Sequence, residues 1–457
     1  MDMAVGVDHW TLLACPRCGG HLAPGDEPAC SACGARYPVV DGLPWLCADP
    51  AAALGGWRTR ARSLVSALEQ QSARYASAIS PGETRAAARR RLELLANACN
   101  DHARRLKSLL APLELAAGAA APETYAALGA PLPAGQGLTS YYANLHRDWC
   151  WGAAENEAGY SAVDRALGPG NPGRTLVLGC GGGRLAYDLH VRRRPAVTVA
   201  ADLNPLMLAV ASRMFAGAQV ELHEFPLAPR DLASHAVLRE LRAPAPAPPG
   251  LWPIVADASH APFAQAAFDT IVTPWLVDIL DEDFAVVAAR VNQWLRPGGR
   301  WVNSGSWFFQ QPDPARCYSI DELPELLHAA GFSDVSVHEE VVPYLASPAS
   351  SQARMERLVT WSAIAQAHVP APPPHRNSPA WLERADLPLP LLPQLESHVL
   401  ALRVHAYVAS LVDGRRTLAE IAAILVNDRL MRADEALPAV RAFLQRVYSD
   451  AQPAVRP

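Results

Sequence analysis

The chain has 457 residues, half of them hydrophobic, which suggests about two to four folding units and excludes wholesale disorder. Forty basic against forty-five acidic side chains leave a formal charge of −5, with no global pull toward nucleic acid. Nine cysteines, an odd number in a long chain, argue against a secreted disulfide framework. No uninterrupted apolar run reaches membrane-spanning length, and Met1-Asp2-Met3 lacks the basic-then-apolar layout of a signal peptide. A reducing, cytoplasmic location and no membrane partner are the expectation.

The first chemistry-bearing feature is a pair of knuckles, Cys15-Pro16-Arg17-Cys18 and Cys30-Ser31-Ala32-Cys33. A two-residue gap lets both thiolates of a knuckle face one ion, and two knuckles complete a tetrahedral Zn2+ site. Four thiolates leave no open coordination position, so Cys15, Cys18, Cys30 and Cys33 are candidate ligands of a structural Zn2+. The text around them runs Leu12-Leu13-Ala14-Cys15, then Cys33-Gly34-Ala35-Arg36-Tyr37-Pro38, then Asp41-Gly42-Leu43-Pro44. It resembles the small zinc ribbons of the tRNA-methyltransferase-activator group, which accompany methyltransferases as partner subunits or as N-terminal fusions. Residues 8–48 are assigned to this ribbon. Cys47, Cys99, Cys150, Cys180 and Cys317 have no paired spacing and read as packing residues.

Residues 55–137 form a helical segment and linker. Leu92, Leu95, Ala96, Cys99 and Ala103 carry helical spacing, Pro81-Gly82 breaks the region into at least two helices, and 117–137 is Ala/Gly/Pro-rich. From Thr175 onward short β-branched runs alternate with helical stretches, the pattern of an α/β domain with a mainly parallel sheet. This domain takes residues 138–368. A Pro-rich linker, 369–394, separates it from a compact helical domain, 395–450.

Thr175-Leu176-Val177-Leu178 runs into Gly179, Gly181 and Gly183, an apolar strand meeting a glycine turn and a helix. Glycines let backbone pass close to a ligand, and the helix N-terminus favours negative charge. A second strand, Val197 to Asp202, ends in a carboxylate that can accept both hydroxyls of a ribose. Then follow Val255-Ala256-Asp257-Ala258, the strand Phe268 to Pro274, and the turn Leu295-Arg296-Pro297-Gly298-Gly299 before a late strand. In this order the set resembles the class I S-adenosylmethionine-dependent methyltransferases, with a Rossmann-like sheet. The resemblance implies S-adenosylmethionine as cofactor: the glycine turn meeting its methionine part, Asp202 its ribose, and Asp257 with Ala258 its adenine, with Pro274 also at the site. Glycine-to-carboxylate spacing fits a dinucleotide fold as well, but the Pro-Gly-Gly turn and the Asp257-to-Phe268 pattern speak against it.

Further stretches resemble the carnosine N-methyltransferase family, most specifically over residues 141–332. They are Tyr141-Tyr142-Ala143-Asn144-Leu145-His146-Arg147-Asp148-Trp149, a long insert from His223 through Pro253, Trp275-Leu276-Val277-Asp278 and Trp301-Val302-Asn303-Ser304-Gly305. By this matching Asn144 and Arg147 approach the methionine end of the cofactor, and Asp278 is the candidate catalytic residue. The family methylates an imidazole nitrogen. A neutral imidazole attacks through one nitrogen while its other N–H needs an acceptor, and a carboxylate there fixes the tautomer and stabilises the developing charge. Gln310 stands where the family carries a substrate-binding His, and the tyrosine run of the family corresponds to Arg354, Met355 and Glu356. Gln310 and Tyr344 are the candidate substrate contacts, and the departures point away from carnosine itself toward a histidine-containing peptide, protein or small imidazole.

Asp413-Gly414-Arg415-Arg416-Thr417, with Ile421 and Leu425 at helical spacing, resembles small winged-helix modules that bind leader peptides, which would allow peptide contact through the C-terminal domain; a plain helical domain fits equally. His260, His338 and His375 are scattered, without ligand spacing for a catalytic metal. Two rivals remain: an rRNA-type methyltransferase with an N-terminal ribbon, disfavoured by the balanced charge, and a non-catalytic methyltransferase-fold binding protein.

Overall fold

The computed structural model describes residues 9–80, 84–113, 138–311, 313–370 and 387–450. The Pro81-Gly82 break, the 117–137 linker, His375 and most of the Pro-rich stretch lie outside the described residues. Two compact units divide the chain, residues 1–374 and 375–456.

The first unit is built on a nine-stranded mixed sheet. Its parallel centre comprises β5 (Arg174–Leu178), β6 (Val197–Asp202), β9 (Leu251–Ala256), β10 (Phe268–Pro274) and β11 (Leu295–Gly305). Two antiparallel strands, β12 (Phe332–Tyr344) and β13 (Arg354–Ala365), extend it beyond β11, with β13 against β11 and β12 at the edge. A strand buried on both faces must be apolar at successive positions, and β5 complies. Val177 joins one core with Ala200, Val255 and Val272, while Leu176 and Leu178 join the opposite core with Val199, Ala201 and Ile271. Helices Pro50–Ser77, Ala86–Leu109 and Pro205–Phe215 contribute to the first core; Phe284–Trp294 and Leu323–Ala329 contribute to the second.

The ribbon carries a short antiparallel pair, β1 (Leu22–Ala23) and β2 (Ala29–Cys30), and joins the same nine-stranded sheet through its next two strands. β4 (Leu43–Leu46) pairs in parallel with β9 through Trp45↔Val255 and Leu46↔Ala256, and β3 (Val39–Val40) pairs antiparallel with β4 at the outer edge. The backbone of the first knuckle also clasps the segment after β9: the Ala14 N–H donates to Pro262 O at 2.9 Å and the Ala264 N–H to Leu12 O at 3.0 Å. Leu12, Leu22, Tyr37 and Leu46, all at most 2% exposed, share one core with Ile254 and Phe263 of the sheet side. Packing of this kind makes ribbon and sheet a single hydrophobic body.

The insert after the second helix of the sheet domain is partly a hairpin, β7 (Gln219–Glu224) against β8 (Val237–Arg242), forming its own two-stranded sheet. The insert ends earlier than the sequence suggests. Trp252 and Pro253 already pair with Val199 and Ala200 of β6, so both belong to β9. The Pro-Gly-Gly turn is likewise part of β11, as an irregular stretch between the pairs Phe268↔Leu295 and Thr270↔Arg300.

The second unit contains helices Pro393–Ser410, Leu418–Asn427 and Ala433–Asp450 around Val408, Ile421, Leu425, Ala436 and Val440. Asp413 accepts the N–H groups of Arg415 and Arg416, and Thr417 with Glu420 forms a capping box that starts the middle helix. Its described residues, 387–450, hold helices and no strand, matching the plain helical alternative. Among the described residues no helix is long and apolar enough to cross a membrane.

Candidate functional site

The glycine turn, β6, β9, β10 and β11 all end on one side of the sheet, where parallel α/β proteins place their ligands. A cavity of about 530 Å³ opens there, within the size range of small-ligand sites. Gly179, Cys180, Gly181 and Gly182 line it after β5, Asp202 after β6, Asp257 and Ala258 after β9, Pro274 and Trp275 after β10, and Ser304, Ser306 and Phe308 at and beyond the end of β11. Asn144, Arg147, Tyr141 and Tyr344 complete the wall.

Asp202 is held for a ligand by its neighbours. The N–H of Gly181 donates to its Oδ2 at 2.7 Å and that of Asn204 to its Oδ1 at 2.8 Å. Burial pushes its carboxyl above the usual range, against those N–H donors. Asp257 serves two purposes. It caps the turn Ala258–His260 by accepting the Ser259 N–H at 2.9 Å, and it faces the cavity. Burial presses its pKa upward, but His260 and the Ser259 N–H outweigh that and hold it below the ordinary value.

The approach segment is shaped by a π-turn. The Gly152 N–H donates to Arg147 O, five residues back, and a Cβ on Gly152 would lie 2.4 Å from Arg147 Cγ. This turn brings Arg147 and Asp148 to the cavity, with Arg147 Nε and a terminal nitrogen on Asp148 Oδ1 at 2.9 and 2.7 Å. Asn144 Oδ1 is buried with no hydrogen-bond partner among the described residues. An orphaned acceptor in a cavity wall is what a ligand's donor would satisfy.

Three sequence candidates do not line the cavity: Gly183, Gln310 and, just behind its wall, Asp278. Gly183 turns from it: a Cβ there would meet Phe215 Cζ at 2.6 Å and Ala211 Cβ at 2.9 Å, so it allows helix packing while Gly182 takes the lining position. Gln310 is exposed and does not line the cavity, because the chain after β11 buries Phe309 against Phe284 and Tyr318 and turns Gln310 outward. Tyr344 does line it. Its ring lies 4.9 Å from that of Trp275, and Arg354 and Arg147 place their guanidinium carbons 4.5 and 5.6 Å from its centroid. Glu155 accepts the N–H groups of Leu345 and Ala346 at 2.9 and 2.8 Å, which fastens the end of β12 over the cavity.

Asp278 sits just behind the wall, 5% exposed. Ser306 Oγ donates to its Oδ2 at 2.5 Å and the Phe308 N–H to the same oxygen at 3.1 Å. Its Oδ1 is buried without a partner among the described residues, and burial pushes the carboxyl above its usual range. Two bulky residues of the wall, Tyr141 (φ 65°) and Trp275 (φ 51°), occupy the left-handed region, a strain that clusters at functional sites. Sequence reading missed Ser306, Trp275 and Glu155 as wall or fastening residues. Ser306 and Trp275 adjoin or begin the quoted motifs, whereas nothing in the sequence singles out Glu155.

In the ribbon the four sulfurs lie within 4.8 Å of one another, with Cys18–Cys30 at 3.5 Å and Cys15–Cys33 at 3.7 Å. A tetrahedral ion with bonds of about 2.3 Å needs sulfurs about 3.8 Å apart, so the four-cysteine cluster could hold zinc. Both knuckles close the same way, by Gly19 N–H to Cys15 O and Gly34 N–H to Cys30 O, and the buried Tyr37 hydroxyl reaches Cys15 Sγ at 2.9 Å.

Residues 176–302 match the family described as "Methyltransferase domain". The chain therefore carries a class I S-adenosylmethionine-dependent methyltransferase domain on a Rossmann-like sheet, preceded by a four-cysteine cluster. No curated protein matches the sequence. Among solved structures it is similar to the Haemonchus contortus phosphoethanolamine N-methyltransferase 2, at 16% identity over 47% of this chain and 53% of that one, with a TM-score of 0.30. The chain thus spans about half the length of that protein. It is also similar to a chain of the complex between the Haloferax volcanii Trm112 methyltransferase activator and a methyltransferase (13% identity, 50% and 97% covered, TM-score 0.33). A third similar structure is the YcgJ protein of Bacillus subtilis (13%, 46% and 99%, TM-score 0.33).

Proposed function

We propose that the chain transfers the methyl group of S-adenosylmethionine to an imidazole nitrogen of a histidine-containing peptide, protein or small molecule. The observation that carries this reading is Asp278: a buried carboxylate with one oxygen unpartnered among the described residues, set immediately behind the wall formed by Ser306 and Phe308. An imidazole that gives up the lone pair of one nitrogen becomes cationic and needs a negative group near the other. Gly179, Gly181, Gly182, Asp202, Asp257 and Asn144 would hold the cofactor, which supplies an electrophilic methyl on a sulfonium. Arg147 keeps Asp148 paired, and Tyr141, Trp275, Phe308 and Tyr344 give the acceptor side of the cavity an aromatic surface. Cys15, Cys18, Cys30 and Cys33 would hold a structural Zn2+, which with four sulfur ligands would take no part in the chemistry.

The test uses methyl-labelled S-adenosylmethionine with carnosine, His-containing peptides and total RNA in parallel. Label on an imidazole nitrogen supports the reading. Label entering RNA but no imidazole would overturn it in favour of an RNA methyltransferase, and cofactor binding without any transfer would favour a non-catalytic scaffold.

A further inference from the structure

Asp278 has a buried carboxylate beside the cavity but does not itself line it, whereas Ser306 does. The hydroxyl of Ser306 is already committed as a donor, to Asp278 Oδ2 at 2.5 Å. A hydroxyl that donates its one proton keeps two acceptor lone pairs. The cavity-facing serine therefore presents an acceptor, backed by a carboxylate. The neighbouring wall hydroxyl, Ser304, is taken up with Thr360 Oγ1 at 2.9 Å in the strand pair β11–β13. Oδ2 is fixed from a second side by the Phe308 N–H, so the serine–carboxylate pair is pre-set rather than dependent on ligand binding.

Resting on the imidazole reading above, we propose that Ser306 is a catalytic residue that takes the ring N–H proton of the acceptor and relays it to Asp278, which acts through Ser306 as a positioning and proton-accepting group. One ring nitrogen forms a bond to the methyl carbon as the sulfonium–methyl bond breaks, leaving S-adenosylhomocysteine and an N-methylated imidazolium. The N–H of the other ring nitrogen passes its proton to Ser306 Oγ while the Ser306 proton passes to Asp278 Oδ2. The carboxylic acid so formed loses its proton to solvent, and no oxidant or further co-reactant is needed. Burial, which already pushes the Asp278 carboxyl upward, suits it to hold that proton briefly.

The experiment compares wild type with Ser306→Ala, Ser306→Thr, Asp278→Asn and the Ser306→Ala/Asp278→Asn double variant on one His-peptide. Calorimetric affinities for S-adenosylhomocysteine, and for the peptide in its presence, are measured on the same proteins. Ser306→Ala is expected to lower kcat about 100-fold with S-adenosylhomocysteine affinity within about twofold of wild type. Peptide affinity should weaken about tenfold as a hydrogen bond is lost. Ser306→Thr, which keeps the hydroxyl, should recover most of the rate. The double variant should be no slower than the worse single one, because the two residues act as a unit. A Ser306→Ala rate within about threefold of wild type, or additive losses in the double variant, would overturn the relay alone. A wild-type protein that methylates no imidazole while still binding S-adenosylhomocysteine would remove the acceptor reading and the relay with it.

Discussion

Replacing Leu46 by Ala tests whether the ribbon and the methyltransferase sheet stand or fall together. Leu46 is fully buried at the end of β4, pairs with Ala256 of β9, and lies in one core with Tyr37 and Leu12 of the ribbon and Ile254 and Val199 of the sheet. Truncating such a leucine costs about 3 kcal/mol, the lost transfer energy plus the cavity left behind. Unfolding entropy for a unit of residues 1–374 is roughly 0.8 kcal/mol/K near 60 °C, so the melting temperature should fall by about 4 °C. The assay follows urea unfolding by two probes, tryptophan fluorescence and release of metal to a coloured chelator. One cooperative body requires both transitions to shift to lower urea together in Leu46→Ala. Metal release at much lower urea, with tryptophan fluorescence still native and unmoved, would refute the shared core.

Stability should also fall in mild acid. His102 and His146 are buried and neutral, with burial lowering each from 6.5 to about 3, so on acidification the unfolded chain takes up these protons first. Their contribution is fully present above pH 6.5 and lost as pH falls toward 3, which amounts to about 2 kcal/mol per histidine at pH 5 relative to pH 8. Denaturant titrations at both pH values check this, and equal stabilities would contradict it. Gly183→Ala should destabilise by about 2 kcal/mol or more, because the site has φ 84° and the new Cβ would press on Phe215; an unchanged melting temperature would show that the helices part freely. Cys30→Ser should lower bound zinc from about one ion per chain to a small fraction by elemental analysis, and full retention would reject the four-sulfur site.

The parts of the site that depend on local spacing could be read from the sequence. The four cysteines, Gly179, Gly181, Asp202, Asp257 and Pro274 each lie in a motif only a few residues long, and the structure brings the four sulfurs together in the ribbon and the others to one cavity. What depends on side-chain direction or on distant pairing could not. Whether Gly182 or Gly183 faces the ligand is decided by the rotation of the following helix against Phe215. Gln310 lies in an irregular stretch after β11, where no period of two or of 3.6 fixes which side faces inward, and burial of Phe309 turns it out. Asp278 was identifiable as a carboxylate after β10, but its retreat behind Ser306 arises from contacts between residues 28 and 30 apart. The parallel pairing of β4 with β9 links positions some two hundred residues apart, and a strand of four residues gives too little pattern to foretell a partner.

Titration of the purified protein with S-adenosylmethionine by calorimetry, for wild type and Asp202→Asn, tests the cofactor site most directly. A single site per chain is expected, with affinity weakened at least about tenfold in Asp202→Asn, since the half-buried carboxylate loses its charge and one acceptor oxygen for the ribose hydroxyls. Binding of equal strength in both proteins would contradict the placement of the cofactor in this cavity.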